Sequence, residues 1–446
     1  MNATLFPLGP VEDSAEPERR QGRPRLKRAN RLQIELRPID LESLLPEDHS
    51  ARWVWAVVDQ LDLSPLYERI RAIEGHAGQN TIDPKILMAL WLYATLEGVG
   101  SARALDRLCE AHDAYRWLRG GVTVNYHTLA DFRVRHAEYL DAQLTRSVAA
   151  LMAEGLVTLQ RTAQDGKRLR AHAGSGSFHR RPTLERCLAE AQEQVQALRR
   201  EVDADPAGYS RRQRAARERA RRERAARVSQ ALKHVGELEK RQAKSHKKGA
   251  REKAVRASTT DPEARIMKMP DGGFRPAYNA QVVTDTQSLV IVGMDVVNTP
   301  DQGQMAPMLE QVRQRYGQAP AEHLADGGFA TLQDIQSVSP PQGETVVYAP
   351  VAASRPVTKP GHGKPPAPAP AVVAWRERMQ TVEAKAIYKE RAATAEWINA
   401  LIHNRGLEQL RVRGLRKVKA VLLWFALLHN LLRGRALRLA AASRAT

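Results

Sequence analysis

Three carboxylates stand where a chain brings reactive groups to a common point. Asp165 heads the run "QDGKRLRAHAG", whose other charged groups are all basic. Asp326 follows "HLA" and precedes Gly327 and Gly328, where a strand ends and the backbone opens, and Glu396 lies mid-helix in "RAATAEWINALI" among apolar neighbours. Hard divalent cations take oxygen ligands, and two of them about 4 Å apart activate a water or hydroxyl and stabilise the leaving oxygen of a phosphodiester. Three carboxylates from three elements suit such a pair, with no protein nucleophile required. Each also has a plainer reading: Asp326 caps the next turn, Glu396 pairs with Arg391 or Lys389, and Asp165 pairs with Arg168 or Lys167 rather than a metal.

The elements that must position these groups follow from local patterns. Leu156 to Ala163 reads as a strand in which Val157, Leu159 and Ala163 share parity with Asp165, so the carboxylate points the same way as apolar side chains. There it needs a proton or a cation. After Asp261 the chain turns to strands: residues 279–297 form two β-rich runs about a polar turn at Asp285 to Ser288, the composition of a hairpin. "APMLEQVRQRYG" predicts a helix, "AEHLADGGF" a short strand ending in a glycine loop, and "GETVVYAPV" another strand. Helices close the chain over 374–403 and 415–432. An Asp on a first strand, a hairpin, an Asp at the end of a later strand and a Glu on a following helix is the order of a ribonuclease H-like nuclease core.

Around that core the composition shifts several times. Residues 1–40 are a flexible basic tail, either lying on a phosphate backbone or simply solvated. Residues 41–155 carry helical stripes and make an all-α N-terminal domain, in which "VNYHTLADFRVRH" offers Asn125, His127, Thr128, Arg133 and Arg135 to DNA if it is the last helix of a helix-turn-helix-like unit. Any helical bundle has similar breaks. The core begins over 156–182, is interrupted by a basic helical hairpin at 183–258, continues over 259–354, passes a Pro/Gly linker at 355–372 and ends in helices at 373–446. Nine arginines lie between Arg211 and Arg227 against two glutamates. They are either a solvated helix face or, as the one-sided charge favours, a contact for DNA backbone. The whole chain carries 69 Lys and Arg against 50 Asp and Glu, a net charge of +19, which favours a polyanionic partner, nucleic acid before a membrane surface. Cys109 and Cys187, far apart and without CxxC spacing, support neither a disulfide framework nor a cysteine zinc site. The longest apolar run, Ala420 to Leu428, is too short to span a bilayer, and the first thirty residues lack a signal peptide's apolar stretch; the expectation is a cytoplasmic, nucleoid-associated protein with no membrane partner.

The words themselves then carry a resemblance. "DGKRLRAHAG" resembles the "DGTKIKANA" stretch around the first catalytic aspartate of bacterial insertion-sequence transposases of the DDE class, and "ADGGF" resembles their "ADAGY" around the second. "YKERAATAEWINALIHNRGL" is similar to their final motif, in which a Tyr, an Arg, the catalytic Glu and a Lys share a helix; here these are Tyr388, Arg391 and Glu396, with His403 at the lysine place. "EARIMKM", "AYNAQVV" and "GQMAPMLEQV" are similar to the family's connecting segments, so the resemblance runs from about Leu41 to Leu432. It implies an α/β ribonuclease H-like mixed-sheet core with an all-α N-terminal domain and a helical-hairpin insertion. It implies that Asp165, Asp326 and Glu396 are catalytic and hold Mg2+, with Mn2+ as a substitute. DNA is cut at the element's ends and joined to target DNA by hydrolysis and transesterification. Tyr388, Arg391 and His403 would hold the transferred end, with Lys167, Arg168, Arg133 and Arg135 as further DNA contacts and a homodimer or higher assembly on double-stranded DNA. The alternative is a catalytically inactive, transposase-derived DNA-binding protein.

Overall fold

The computed structural model describes residues 40–72, 80–204, 210–243, 255–351 and 368–445. Its N-terminal helices are α1 (Ser50–Asp59), α2 (Ser64–Tyr67), α3 (Pro84–Leu96), α4 (Ala102–Ala111), α5 (Asp113–Arg119), α6 (Tyr126–Arg135) and α7 (Ala137–Ala153). Short polar residues start three of them, α3, α4 and α6. Asp83 accepts from the Lys85 amide ahead of Pro84, Ser101 from Ala104, and Asn125 from both His127 and Thr128. Because α3 is apolar on nearly every side, it is buried from Pro84 to Thr95 apart from Lys85. The basic tail of residues 1–39 and most of the Pro/Gly linker lie outside the described residues, and α12 begins at Pro370, inside the segment expected as linker.

The remaining elements follow as β1 (Arg161–Arg170), β2 (Phe178–His179), α8 (Arg181–Ala204), α9 (Arg211–Ala243), β3 (Ala257–Ser258), β4 (Arg265–Lys268), β5 (Phe274–Asp285), β6 (Ile291–Val297), α10 (Met305–Tyr316), β7 (Glu322–Leu324), α11 (Leu332–Val338), β8 (Val346–Tyr348), α12 (Pro370–Arg378), α13 (Val382–Asn404) and α14 (Leu415–Ala445). Helices α8 and α9 form an antiparallel hairpin: Arg181 meets Glu239 near its base and Arg224 meets Gln194 further out (2.9 Å). Leu184, Ala231, Val235 and Ala257 make its small apolar seam.

Among the described residues, strands β4, β5, β1, β7 and β8 lie in that order in one mixed sheet, with β6 also paired to β5. The β1–β5 and β5–β6 pairs are antiparallel, whereas β1–β7 and β7–β8 are parallel. Parallel neighbours need crossovers, which α10 with its loops and α11 supply. Strand β1 therefore sits at the centre of the sheet. One of its faces carries Ala163, Asp165, Lys167 and Leu169, opposite Val282, Ala280 and Tyr278 of β5. The reverse face is polar but buried: Gln164 Nε2 donates to Gln281 (2.9 Å) and to the Gln304 carbonyl (3.2 Å), and the His323 ring meets Thr162 (2.9 Å).

Helix α14 forms the centre of the main core with α3, α6, α7 and β6, burying Val418 through Leu428 apart from Lys419. Here the expectation drawn from a nine-residue apolar run needs correcting. By length and composition Leu415–Arg444 is apolar enough to cross a membrane, yet 67% of its apolar window is buried inside the molecule, as in a core helix. Two polar side chains and a tyrosine finish the edge of β6 away from β5. Gln311 bonds both backbone groups of Met294 (3.0 and 3.3 Å), Asn430 those of Ile291 (2.9 and 2.8 Å), and Tyr316 donates to the Val292 carbonyl (3.0 Å).

Three expected boundaries differ. Strand β1 starts at Arg161 rather than Leu156, because Leu159 adopts φ 54°, incompatible with a strand. The expected helix over 374–403 is two helices, since Thr381 starts α13 by accepting from the Ala384 amide. The last helix continues past 432 to Ala445.

Candidate active site

Asp165 lies mid-strand on β1, and Asp326 lies two residues beyond the end of the neighbouring parallel strand β7, which pairs Leu324 with Ala163. Parallel registration thus brings both carboxylates to one level. Helix α13 crosses above them and lowers Arg391 between the two: its Nη2 is 3.2 Å from Asp165 Oδ1 and 3.5 Å from Asp326 Oδ2. The second Asp165 oxygen accepts from Asn399 Nδ2 at 2.7 Å. Asp326 also accepts from the Gly328 amide (2.7 Å), tying the glycine loop to the strand end.

The cation beside Asp165 is therefore Arg391, and neither basic neighbour in sequence fills that place. Arg168, three residues on, points from the opposite face of β1 and pairs with Asp301 (2.9 Å). Lys167 shares the Asp165 face, but its Nζ donates to the Asn399 carbonyl (3.0 Å); burial pulls its pKa down, with Glu408 and Asp165 opposing that. Tyr388 packs against Ala163, Leu324, Tyr348 and Ala384, and burial raises its hydroxyl pKa, which Arg391 opposes and the two aspartates reinforce.

Glu396 stands apart. It follows the buried Ala395 by one residue, about 100° round the helix, and is exposed. Neither Arg391 nor Lys389 pairs with it, so the plain ion-pair reading of Glu396 does not hold. His403, seven residues further along the same side, is exposed and bonds Glu408 (2.7 Å). Among the described residues no group of three or more His, Cys, Asp and Glu is close enough to hold a metal ion. The donor chemistry nevertheless fits a divalent cation at one point: two carboxylates already converge on a single positive group, and oxygen donors suit hard ions. As it stands, the third carboxylate does not join them.

Two expected DNA contacts part company. Arg135 is on the surface, paired with Asp131 across one helical turn. Arg133 is a correction: it is 6% exposed, stacks over Trp91 at 4.6 Å and donates to the Gly100 carbonyl (2.5 Å), so it is a core residue. Burial pulls its pKa down to about 10. The Asn125 side chain is likewise committed to capping α6.

Two further residues of the site carry only faint signals in the sequence. Asn399 had a signal, a polar residue between Ile398 and Ile402 on the inward stripe of α13. Asp301 had a fainter one, the glycine next to Asp165. Asp301 accepts from Arg168, Asn279 (2.7 Å) and Gln281 (3.1 Å) and presses on Gly166, where a Cβ would lie 2.9 Å from its carboxyl carbon.

Comparison with known families gives two matches. Residues 39–135 match a family model described as a transposase domain, and residues 370–434 match one described as a transposase DDE domain. The first spans α1 to α6; the second holds Tyr388, Arg391, Glu396 and His403, while Asp165 and Asp326 lie outside both. No curated protein and no solved structure matches the chain.

Proposed function

Because the chain belongs to the DDE transposases of insertion sequences, we propose that it cuts DNA at the ends of its element and joins them to target DNA at Asp165, Asp326 and Glu396. The observation that carries this reading is the convergence of Asp165 and Asp326 on Arg391 from adjacent parallel strands. A sheet in the order β6-β5-β1-β7-β8, antiparallel then parallel, supports a ribonuclease H-like core, with the α8–α9 hairpin inserted and the N-terminal helices as a DNA-binding domain.

The two aspartates form the oxygen pair of the site, and Glu396 completes the set from α13, where no ion pair competes for it among the described residues. When bound there, a divalent cation such as magnesium, with manganese as a substitute, supplies the Lewis acidity that activates a water and stabilises a leaving oxygen. Arg391, now shared by both aspartates, is placed to turn its fork to a phosphate of the transferred end, which guanidinium binds through two hydrogen bonds. Tyr388 lines the same side, and Lys167 adds a positive charge one pleat beyond Asp165. His403 and Arg135 are exposed positions for DNA backbone, and a homodimer or larger assembly brings two element ends together.

The test is magnesium-dependent cleavage of DNA bearing the element's own ends, with Asp165→Asn, Asp326→Asn and Glu396→Gln beside the wild type. Each substitution is expected to lower cleavage more than about 100-fold, beyond what loss of a ligand's supporting partner costs, while the protein still shifts the DNA in a gel. A wild type that binds those ends yet cuts with neither magnesium nor manganese overturns the catalytic reading in favour of a binding protein.

A further inference from the structure

Strand β1 does not stop at the carboxylates. It runs on from Asp165 past Lys167 to Arg170, five residues and roughly 16 Å at the usual rise. The segment after α13 folds back over that end: the Arg170 amide donates to Glu408 O (2.8 Å), Leu410 N to Arg170 O (2.9 Å), Gln409 Nε2 to Ala171 O (3.1 Å) and Arg413 Nε to His172 O (3.2 Å). The strand of Asp165 and the helix of Glu396 thus both lead into the wall of one cavity of about 580 Å³.

Its lining includes Arg170, Arg275, Arg413, His172 and Phe274, with no acidic residue. Arg275 is held by Asp271 (2.8 and 2.6 Å), whereas Arg170 and Arg413 are exposed and make no direct ion pair among the described residues, with Asp271 and Asp261 acting on them only through the longer-range field. Phe274 is 66% exposed at the start of β5. A lone exposed phenyl needs no explanation, but one set among guanidinium groups in a concavity does. A duplex keeps its base faces stacked and offers such a ring nothing; an unpaired nucleotide offers a π-face and a phosphate together. The volume lies in the range of sites that take one small ligand.

We propose that this cavity is a single-strand pocket, taking an unpaired nucleotide of the DNA strand that leaves the Asp165–Asp326 site, its phosphate on Arg170 and Arg413 and its base against Phe274. The proposal rests on the transposase reading, since strand cutting and joining leave unpaired nucleotides beside the break. The pocket gives the enzyme a hold on that strand at a fixed distance from the carboxylates.

Fluorescence anisotropy of the full chain without divalent cations tests it, using a labelled oligothymidylate of about twelve nucleotides, within the span a single-strand groove covers, and a blunt duplex of equal length. Phe274→Ala and Arg170→Ala are expected to weaken oligothymidylate binding roughly 5- to 100-fold, the range for losing one stacked base, and to leave duplex binding unchanged. Phe274→Trp retains the binding, and its indole emission changes when the oligothymidylate is added. Equal losses on both DNAs, or none on either with the indole unmoved, overturn the pocket. No cutting is involved, so a wild type inactive in cleavage but selective here defeats only the catalytic reading. One that cuts while Phe274→Ala binds oligothymidylate as well as wild type defeats only the pocket.

Discussion

At the scale of single residues, the glycine beside Asp165 is fixed by what lies behind it. The Asp301 carboxylate, held by Arg168, Asn279 and Gln281, occupies the space a side chain at 166 would need. Gly166→Ala must push that carboxylate off its donors or bend β1, and the expected loss is about 1–3 kcal/mol in a denaturant melt, the usual cost of overpacking; an unchanged midpoint would refute the close approach. The direction of Asp165 was legible beforehand, because strand parity alone sets it with Ala163; the same parity turns Arg168, an expected partner, to the other face, where it meets Asp301. The arrival of Arg391 between two aspartates was not, for it depends on how α13 crosses the sheet. The exposure of Glu396 was hidden for the same reason: its apolar neighbours in sequence occupy the other side of the helix.

At the scale of elements, a run of basic residues on a helix does not say which of them face outward. Arg133 and Arg135 are two apart on α6 and so lie on different sides, one under Trp91 and Gly100 and the other in solvent. Arg133→Ala is expected to cost about 2 kcal/mol or more, since it removes packing and leaves a carbonyl without its donor. Arg135→Ala should leave the melt unchanged and weaken DNA binding, most at low salt. The reverse pattern, a stable Arg133→Ala protein with poor DNA binding, would sink this assignment. Helices with strong apolar stripes, the β5–β6 hairpin and the α8–α9 hairpin were all readable from periodicity. Boundaries set by one residue's backbone, such as Leu159, or by a cap inside a continuous stripe, such as Thr381, were not.

At the scale of the whole molecule, buried imidazoles tie stability to acidity. Burial holds His323 and His429 neutral, lowering their pKa values from 6.5 to about 3 and about 4. Below 6.5 the unfolded chain takes up protons at these positions while the folded chain does not, so stability falls as pH drops until the folded rings titrate. Asp261 and Asp285, whose buried carboxyls are held above 3.8, act in the opposite sense nearer that value. Thermal melts should therefore show a falling Tm between pH 6.5 and 4.5, with a smaller fall in His323→Gln; a Tm flat across that interval would contradict the burial. The order of the sheet could be anticipated from the succession of elements, but the finish of its edge could not, because it depends on how α10 packs Gln311 against β6 and on Asn430 arriving from α14, 139 residues beyond Ile291. With the amides of both side chains standing in for a neighbouring strand at Met294 and Ile291, that border has no unsatisfied rungs there to lend. Crowding many copies along one stretch of DNA then does not zip them together through this edge.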